Sequence, residues 1–385
     1  MNKKSIGIVG STGSIGKQSV EVILKNSELF NVNFILCHSN VDEVVKQIRL
    51  LKPKYAVILS GNINEDKIEG TKIFSKKEDL LNIIKNENLD LLLSAVVGFA
   101  GIIPTLEGIK KGIDIALANK ESIVAGGKIL LDIAKKTGSK IIPVDSEHSA
   151  IYQCLMGQEK GKVSGITLTA SGGPFIKRPG DSLAFVSVEE TLKHPNWNMG
   201  SKITVDSSTM MNKGLELIEA KYLFDVPAKL LNVVVHPQSV IHSYVSFIDG
   251  STIAQLGFPD MKTPISFALG FPERIVSGVS PIDLIKVSTL NFYEPDLKKY
   301  RCLKVAIDVL NTDSNLLMTV LNAANEVAVE LFLKKCINFT DISLLVEKTV
   351  SCFSDNTILN IEEIFETDIL AREMARKIYN TELKD

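Results

Sequence analysis

Two periods alternate along the first 145 residues of the chain. Short, nearly continuous apolar runs fall at Ser5–Val9, Val32–Cys37, Tyr55–Leu59, Leu89–Val97, Ile113–Ala118 and Lys140–Val144. Between them, apolar residues recur at helical spacing over Lys17–Asn26, Val41–Leu51, Lys76–Glu87, Pro104–Lys111 and Ser122–Lys136. Strand and helix in alternation predict right-handed βαβ units and a parallel sheet covered on both faces. Past residue 150 the helical spacing thins out. Strands are expected at Gly165–Ala170, Ser201–Asp206, Leu231–His236, Ser239–Phe247 and Thr252–Gly257. The last two flank Asp249-Gly250, a strong hairpin signal. Residues 271–296 carry Pro272, Pro281 and Pro295 with little periodicity, and read as a linker. From Cys302 the pattern is helical again, strongly so over residues 316–335, then at Thr340–Ser354 and Ile361–Tyr379. The expected division is an α/β domain at 1–145, an α+β domain at 146–270, a linker at 271–296 and a helical domain at 297–385.

Composition narrows the function classes. A chain of 385 residues, 45% hydrophobic and 23% charged, is long enough for two or three domains with cores that need no staples. The 43 basic and 45 acidic side chains leave a net charge of −2, which argues against a nucleic-acid partner. The longest mostly apolar run, Leu91–Ile103, is too short and too interrupted to cross a membrane. The N-terminus starts with lysines but has glycines where a signal peptide needs its apolar segment, so a cytoplasmic protein without a membrane partner is expected. The five cysteines are scattered, without a C-x-x-C pair, and fit reduced thiols.

Several places carry candidate chemistry. Gly10-Ser-Thr-Gly13-Ser-Ile-Gly16 follows the first strand and opens a helix, where glycines let the backbone approach a pyrophosphate resting on helix N–H groups. This marks the first domain as Rossmann-like and dinucleotide-binding. The second strand ends in His38-Ser39-Asn40 with no carboxylate for a ribose 2′-hydroxyl, which favours NADP over NAD, although an ordinary loop reads as well. At the end of the domain's last strand, Asp145-Ser146-Glu147 offers two carboxylates that extended chain would point the same way. They would suit Mg²⁺ or Mn²⁺, or else stand at a helix start with Ser146 as its cap. Further on, Asp206 to Glu216 leads from an expected strand into a helix on which Asn212, Lys213 and Glu216 share a face. With Ser207 and the glycine-rich turn at Ser171, these groups suit a phosphate monoester, though Lys213 and Glu216 alone would read as a solvated pair. The segment Thr191–Gly200 contains His194 and the single Trp, Trp197, and could close as a lid or be a pinned surface loop. His236 and His242 fit no zinc spacing, and one or both read as hydrogen-bonded structural residues.

The chain resembles the 1-deoxy-D-xylulose 5-phosphate reductoisomerase family over nearly its whole length. The resemblance is carried by GSTGSIG at Gly10–Gly16, LANKES at Leu117–Ser122, PVDSEHSA at Pro143–Ala150, TASGGPF at Thr169–Phe175 and HPNWNMG at His194–Gly200. It continues in DSSTMMNKGLE at Asp206–Glu216, HPQSVIHS at His236–Ser243, LGFPDMKTPI at Leu256–Ile265 and LNAANEVAV at Leu321–Val329. It implies a V-shaped, homodimeric enzyme that rearranges 1-deoxy-D-xylulose 5-phosphate and reduces the product with NADPH to 2-C-methyl-D-erythritol 4-phosphate, using a divalent cation. It implies metal ligation by Asp145, Glu147 and Glu216, and a catalytic place for these with Lys120. Substrate would meet Lys120, Ser146, Glu147 and Glu216, with phosphate on Ser171, Ser207, Asn212, Lys213 and His194. Trp197 and Met199 would cover it, in a flap at about 185–201. NADPH would meet Thr12, Gly13, Ser14, Ile15, His38, Ser39, Asn40, Asn119, Glu121 and Gly200. Many family members have a lysine where this chain has Ser39 or its neighbours, so His38 is the basic group left to favour NADPH over NADH. Two other classes fit the same sequence: a non-catalytic NADP sensor, and a phosphorylated-semialdehyde dehydrogenase that performs no rearrangement.

Overall fold

The computed structural model describes residues 3–61, 67–193 and 199–384. Contacts divide the chain into two compact units. The first comprises residues 1–122, 130–149 and 260–281; the second comprises 123–129, 150–259 and 282–385.

The first unit is built on an eight-stranded sheet. In spatial order its strands are Lys67–Ile68, Thr71–Phe74, Tyr55–Ile58, Phe30–Cys37, Lys4–Val9, Leu91–Ser94, Asp114–Leu117 and Ile141–Pro143. All neighbours are parallel except the first two. With that short ribbon set aside, the sequence order is 3-2-1-4-5-6, that of a Rossmann-like sheet, and the order reverses beside Lys4–Val9. The strands carry the expected apolar runs, and Ile6, Ile8, Phe34, Ile35, Leu92, Leu93 and Ile115 are fully buried. The ribbon at 67–74 has no counterpart in the sequence reading, because its strands are too short to show a period.

The segment at 260–281 packs with this unit. Its helix, Lys262–Gly270, lies against Ser14–Lys25. The Lys4 ammonium donates to the carbonyls of Leu269 and Phe271 at 2.9 and 3.0 Å. Asn26 donates to the Val276 carbonyl at 2.9 Å and accepts from its N–H. The proline-rich stretch from residue 271 is therefore not a free linker over its first part, and its later part carries a short helix, Leu284–Val287, capped by Asp283.

The second unit has a four-stranded sheet in the order Leu231–Val235, Val163–Ala170, Ile241–Phe247, Thr252–Leu256. Its last two strands form the expected hairpin, with Gly250 at φ +85° in the turn. Helices Met211–Phe224, Arg301–Thr312, Asn315–Leu333, Phe339–Ser351 and Ile361–Ile378 build one core with the sheet. The helix Asn315–Leu333 is long and apolar enough to span a membrane, but 72% of its apolar window is buried in this core. At Gly214 even a Cβ would stand 2.3 Å from that of Ala306, so only glycine allows so close a helix crossing.

Two local expectations are corrected. Ser201–Thr209 is a helix, so the strand expected at Ser201–Asp206 does not form. The alternation of Ile203 and Val205 with polar neighbours suggested a pleat, but the buried face consists of Thr204, Val205, Asp206, Ser208 and Thr209. Their hydroxyls are satisfied within the helix, Thr204 donating to the Gly200 carbonyl and Ser208 to that of Thr204, both at 2.8 Å. Tertiary burial of satisfied polar groups overrides β propensity here. Likewise Asp145 to Glu147 is not extended. The Asp145 carbonyl accepts from the Ser149 N–H at 2.8 Å and a helix begins at Ser146, which is the helix-start alternative.

The helix Lys120–Thr137 breaks at Gly127, where φ is +30° and ψ −123°. A Cβ there would lie 2.7 Å from the Tyr222 ring, whose hydroxyl reaches the Met318 sulfur at 3.1 Å. Gly127→Ala therefore adds left-handed strain to overpacking and is expected to cost about 2–4 kcal/mol. Urea denaturation should show the lower midpoint with an unchanged slope.

Candidate active site

In the first unit the candidate residues collect at the carboxyl ends of the parallel strands. Gly10 follows Lys4–Val9 at φ +92°, and a Cβ there would sit 2.6 Å from the Ala95 carbonyl oxygen. Gly16 is closed to any side chain by the Gly10 oxygen at 2.3 Å. Gly13, by contrast, meets nothing nearer than 3.5 Å, and as the cap of helix Ser14–Lys25 it offers the first-turn N–H groups no side-chain cap. Thr12, Gly13, Ser14 and Ile15 thus frame an exposed or half-exposed anion cradle, which fits a pyrophosphate. Gln47 braces it from below by donating to the Ser11 carbonyl at 2.9 Å, a support the sequence reading missed. His38, Ser39 and Asn40 are exposed at the end of the adjacent strand. Asn40 also caps the next helix through Glu43 N–H, at 3.2 Å.

Asn119 and Glu121 point inward. The fully buried Asn119 amide donates to the carbonyls of Val96 and Gly98 at 2.8 and 2.9 Å and to Glu121 at 3.0 Å. Its oxygen accepts from the Ser122 N–H at 3.1 Å, capping helix Lys120–Thr137. The pair holds the 96–98 loop in place beside the glycine loop, so neither side chain is turned outward.

The next residue carries the charge. The buried Lys120 ammonium meets Asp145 at 2.6 Å, and His148 stands 3.7 Å from the other Asp145 oxygen. Burial would push the Asp145 carboxyl upward, but the Lys120 ammonium and His148 outweigh it and hold the group well below the usual carboxylate range. Glu147 accepts from the Ser146 hydroxyl at 2.5 Å, and the Asp145 and Glu147 oxygens lie within 4.8 Å of each other. Two carboxyl groups so close make a hard-oxygen donor pair that fits a divalent cation such as Mg²⁺.

In the second unit, Ser207 and the Asn212–Glu216 turn flank a sharp helix junction. Helix Ser201–Thr209 ends at Met210 with φ +58°, and Met211–Phe224 starts at once without a side-chain cap. Asn212 and Lys213 both donate to Glu216, so the three expected partners do meet. Unlike a solvated pair, Lys213 and Glu216 are 3% and 1% exposed. The Ser171 turn reaches the same junction: Gly173 has φ +64°, and a Cβ there would be 3.1 Å from the Ser207 carbonyl. Gly173 N–H also donates to the Ser171 hydroxyl at 3.2 Å. Met199 is half-buried and Gly200 exposed at the start of the helix. His194 and Trp197 lie outside the described residues.

Of the two histidines of the 236–242 segment, His236 is held by the surrounding fold. His236 stacks on Phe292 at 4.7 Å and accepts the Val240 N–H at Nε2, so its Nδ1–H donates to the Asn291 carbonyl. His242 is buried, and desolvation, with smaller contributions from His236 and Lys213, lowers its pKa to about 4.

Three profiles of one family match this chain: 1-deoxy-D-xylulose 5-phosphate reductoisomerase over residues 6–127, its C-terminal domain over 141–224, and the DXP reductoisomerase C-terminal domain over 256–374. The Chlorobaculum tepidum 1-deoxy-D-xylulose 5-phosphate reductoisomerase is 46% identical over 97% of this chain and 99% of its own. That of Geobacter metallireducens is 44% identical over 97% and 99%. Among solved structures, a DOX-P reductoisomerase in complex with NADPH, fosmidomycin and magnesium superposes with a TM-score of 0.90 at 38% identity, covering 98% of this chain and 99% of the other. The Zymomonas mobilis enzyme in complex with NADPH gives 0.91 at 36%, covering 99% and 100%.

The His242 shift has a consequence for stability. Unfolding returns the imidazole to its ordinary pKa of 6.5, so between pH 6.5 and about 4 the unfolded chain binds the extra proton. Stability from this group is complete above pH 6.5 and is lost as pH falls through that window, by about 3 kcal/mol at most. Denaturant titrations should show a shallower acid slope for His242→Asn than for the parent protein.

Proposed function

The chain belongs to the 1-deoxy-D-xylulose 5-phosphate reductoisomerase family, and on that premise we propose how its residues divide the family's reaction. It converts 1-deoxy-D-xylulose 5-phosphate to 2-C-methyl-D-erythritol 4-phosphate with NADPH and a divalent cation. The cation, when bound, polarises the substrate ketone as a Lewis acid, and NADPH supplies the hydride. Asp145, Glu147 and Glu216 are the proposed ligands, for Mg²⁺ or Mn²⁺.

Lys120 is the proposed donor to the substrate hydroxyls. An ammonium donates and never accepts, and its pairing with Asp145 fixes where it points. Ser146 holds the substrate backbone beside it. Ser171, Ser207, Asn212, Lys213 and His194 take the phosphate, an anchor remote from the reacting carbons whose binding energy supports their orientation. Trp197 and Met199 exclude water. Thr12, Gly13, Ser14 and Ile15 take the NADPH pyrophosphate, His38, Ser39 and Asn40 its 2′-phosphate, and Gly200 borders it. Asn119 and Glu121, whose side chains are spent inside the fold, contact the cofactor through their backbone. The proposed division is a nucleotide-binding domain at 1–145, whose end also supplies Lys120 and Asp145 to the reaction, a catalytic domain at 146–270 and a helical domain at 297–385. Five free thiols suit the reducing cytoplasm, and the family resemblance favours a homodimer.

The observation that carries this reading is the buried Lys120–Asp145 pair at the carboxyl ends of neighbouring parallel strands, next to a second carboxylate. An assay of NADPH oxidation tests it. Turnover should require both 1-deoxy-D-xylulose 5-phosphate and Mg²⁺ or Mn²⁺, and NMR of the product should show a methyl on a quaternary carbon. Without that methyl, the chemistry is a simple dehydrogenation. NADH run alongside should turn over more slowly if His38 and its neighbours hold the 2′-phosphate.

Glu216→Gln should lower turnover by about 100-fold or more and weaken metal affinity by about 10- to 100-fold. NADPH affinity, read by fluorescence, should stay the same. A parallel loss of NADPH binding would contradict the assignment of Glu216 to the metal.

A further inference from the structure

Beyond the groups that would touch the phosphate, one buried network has no role in the reaction as described. Asp206 immediately precedes Ser207 and is 1% exposed. One carboxylate oxygen pairs with Lys202 of the same helix at 2.8 Å. The other accepts from the Asn325 side-chain amide, also at 2.8 Å. Asn325 is fully buried in the core helix Asn315–Leu333, 119 residues further along the chain. Among the described residues, its own side-chain oxygen has no hydrogen-bond partner. A buried amide that leaves half of itself unsatisfied is costly, and an apolar residue would pack there without that penalty. The cost is offset by what the donor end does, which is to hold a carboxylate one residue from a proposed phosphate ligand.

The rest of the junction transmits that hold. The Thr209 hydroxyl donates to the Asp206 carbonyl at 3.2 Å and accepts from the Met211 N–H at 3.3 Å. It thereby bridges the left-handed Met210 that separates Ser207 from Asn212 and Lys213. The Gly173 backbone packs on the Ser207 carbonyl from the other side.

We infer that Asn325 is a positioning residue of the phosphate subsite: through Asp206 it fixes the Ser207–Lys213 junction in the geometry that binds the phosphate of the substrate. The inference rests on the proposed assignment of Ser207, Asn212 and Lys213 to that phosphate.

Steady-state kinetics on the full-length, metal-loaded enzyme test it, with inorganic phosphate as a competing probe. Asn325→Asp keeps the shape but replaces the donor with a second carboxylate; Asn325→Ala removes the group. Both should raise KM for 1-deoxy-D-xylulose 5-phosphate and the inhibition constant of inorganic phosphate together, by roughly tenfold. kcat should fall by less, and NADPH affinity should not change. The exchange Asp206→Asn with Asn325→Asp restores a donor–acceptor pair of opposite sense and should recover part of both losses, as a double-mutant cycle requires of directly coupled groups. Thermal melting accompanies every variant. If Asn325→Ala does not fold, Asn325→Asp and the exchange decide. Unchanged KM and phosphate inhibition in folded Asn325→Asp, with both constants raised by Ser207→Ala, would overturn the positioning role and leave the phosphate assignment intact. If Ser207→Ala changes neither constant, the phosphate assignment itself fails and the inference with it.

Discussion

A charge taken out of water must be neutralised where it sits, and this requirement organises both units. Removing one partner from a buried ion pair typically costs about 3–5 kcal/mol, because the other is stranded. The chain therefore buries its ionised groups in sets. Lys120 meets Asp145, Lys213 meets Glu216, and Lys202 meets Asp206. Arg372 forks onto Asp368 and reaches Glu326 between two helices of the second core. Each set is held by backbone that cannot easily move: a helix start, a left-handed junction or a core helix. The pairing that makes burial tolerable also fixes the direction of each ammonium and carboxylate, which is what chemistry on a small sugar phosphate requires.

The sites proposed for the two phosphorylated ligands need little net charge. With a net charge of −2, the chain has no excess of basic side chains to offer. The first unit instead presents a helix start left uncapped by Gly13, and the second a junction of hydroxyls, one amide and one ammonium. Both rely on oriented dipoles and a few charges at short range, which bulk salt screens poorly.

Much of this was legible from pattern alone. The parallel strands of the first unit, the glycine loop, the Asp249-Gly250 hairpin and the helices after Cys302 all read correctly, because each is local: a period, a glycine spacing or a turn dipeptide. The face shared by Asn212, Lys213 and Glu216 was also visible, since helical spacing fixes it. The failures share a cause. Ser201–Thr209 reads as a strand because its buried face is polar: its hydroxyls turn back on the helix's own carbonyls, and Asp206 is acceptable there only because a distant amide, that of Asn325, meets it. The inward turn of Asn119 and Glu121 depends on carbonyls of the 96–98 loop, more than twenty residues away in sequence. Asn325 stands in the LNAANEVAV motif, and nothing in the local pattern says what it touches.

The sequence by itself determined which kinds of groups were present and at what local spacing. That sufficed for the Rossmann-like fold class and the family. It could not decide whether Lys213 and Glu216 were solvated or buried, whether Asp145 and Glu147 lay on a strand or at a helix start, or what Asp206 was paired with. Those outcomes turn on desolvation and on partners brought in by long-range packing, and neither has a signature in local periodicity. Tertiary structure decides them because the energy of a polar group depends less on its neighbours in the chain than on whether water or protein fills the space around it.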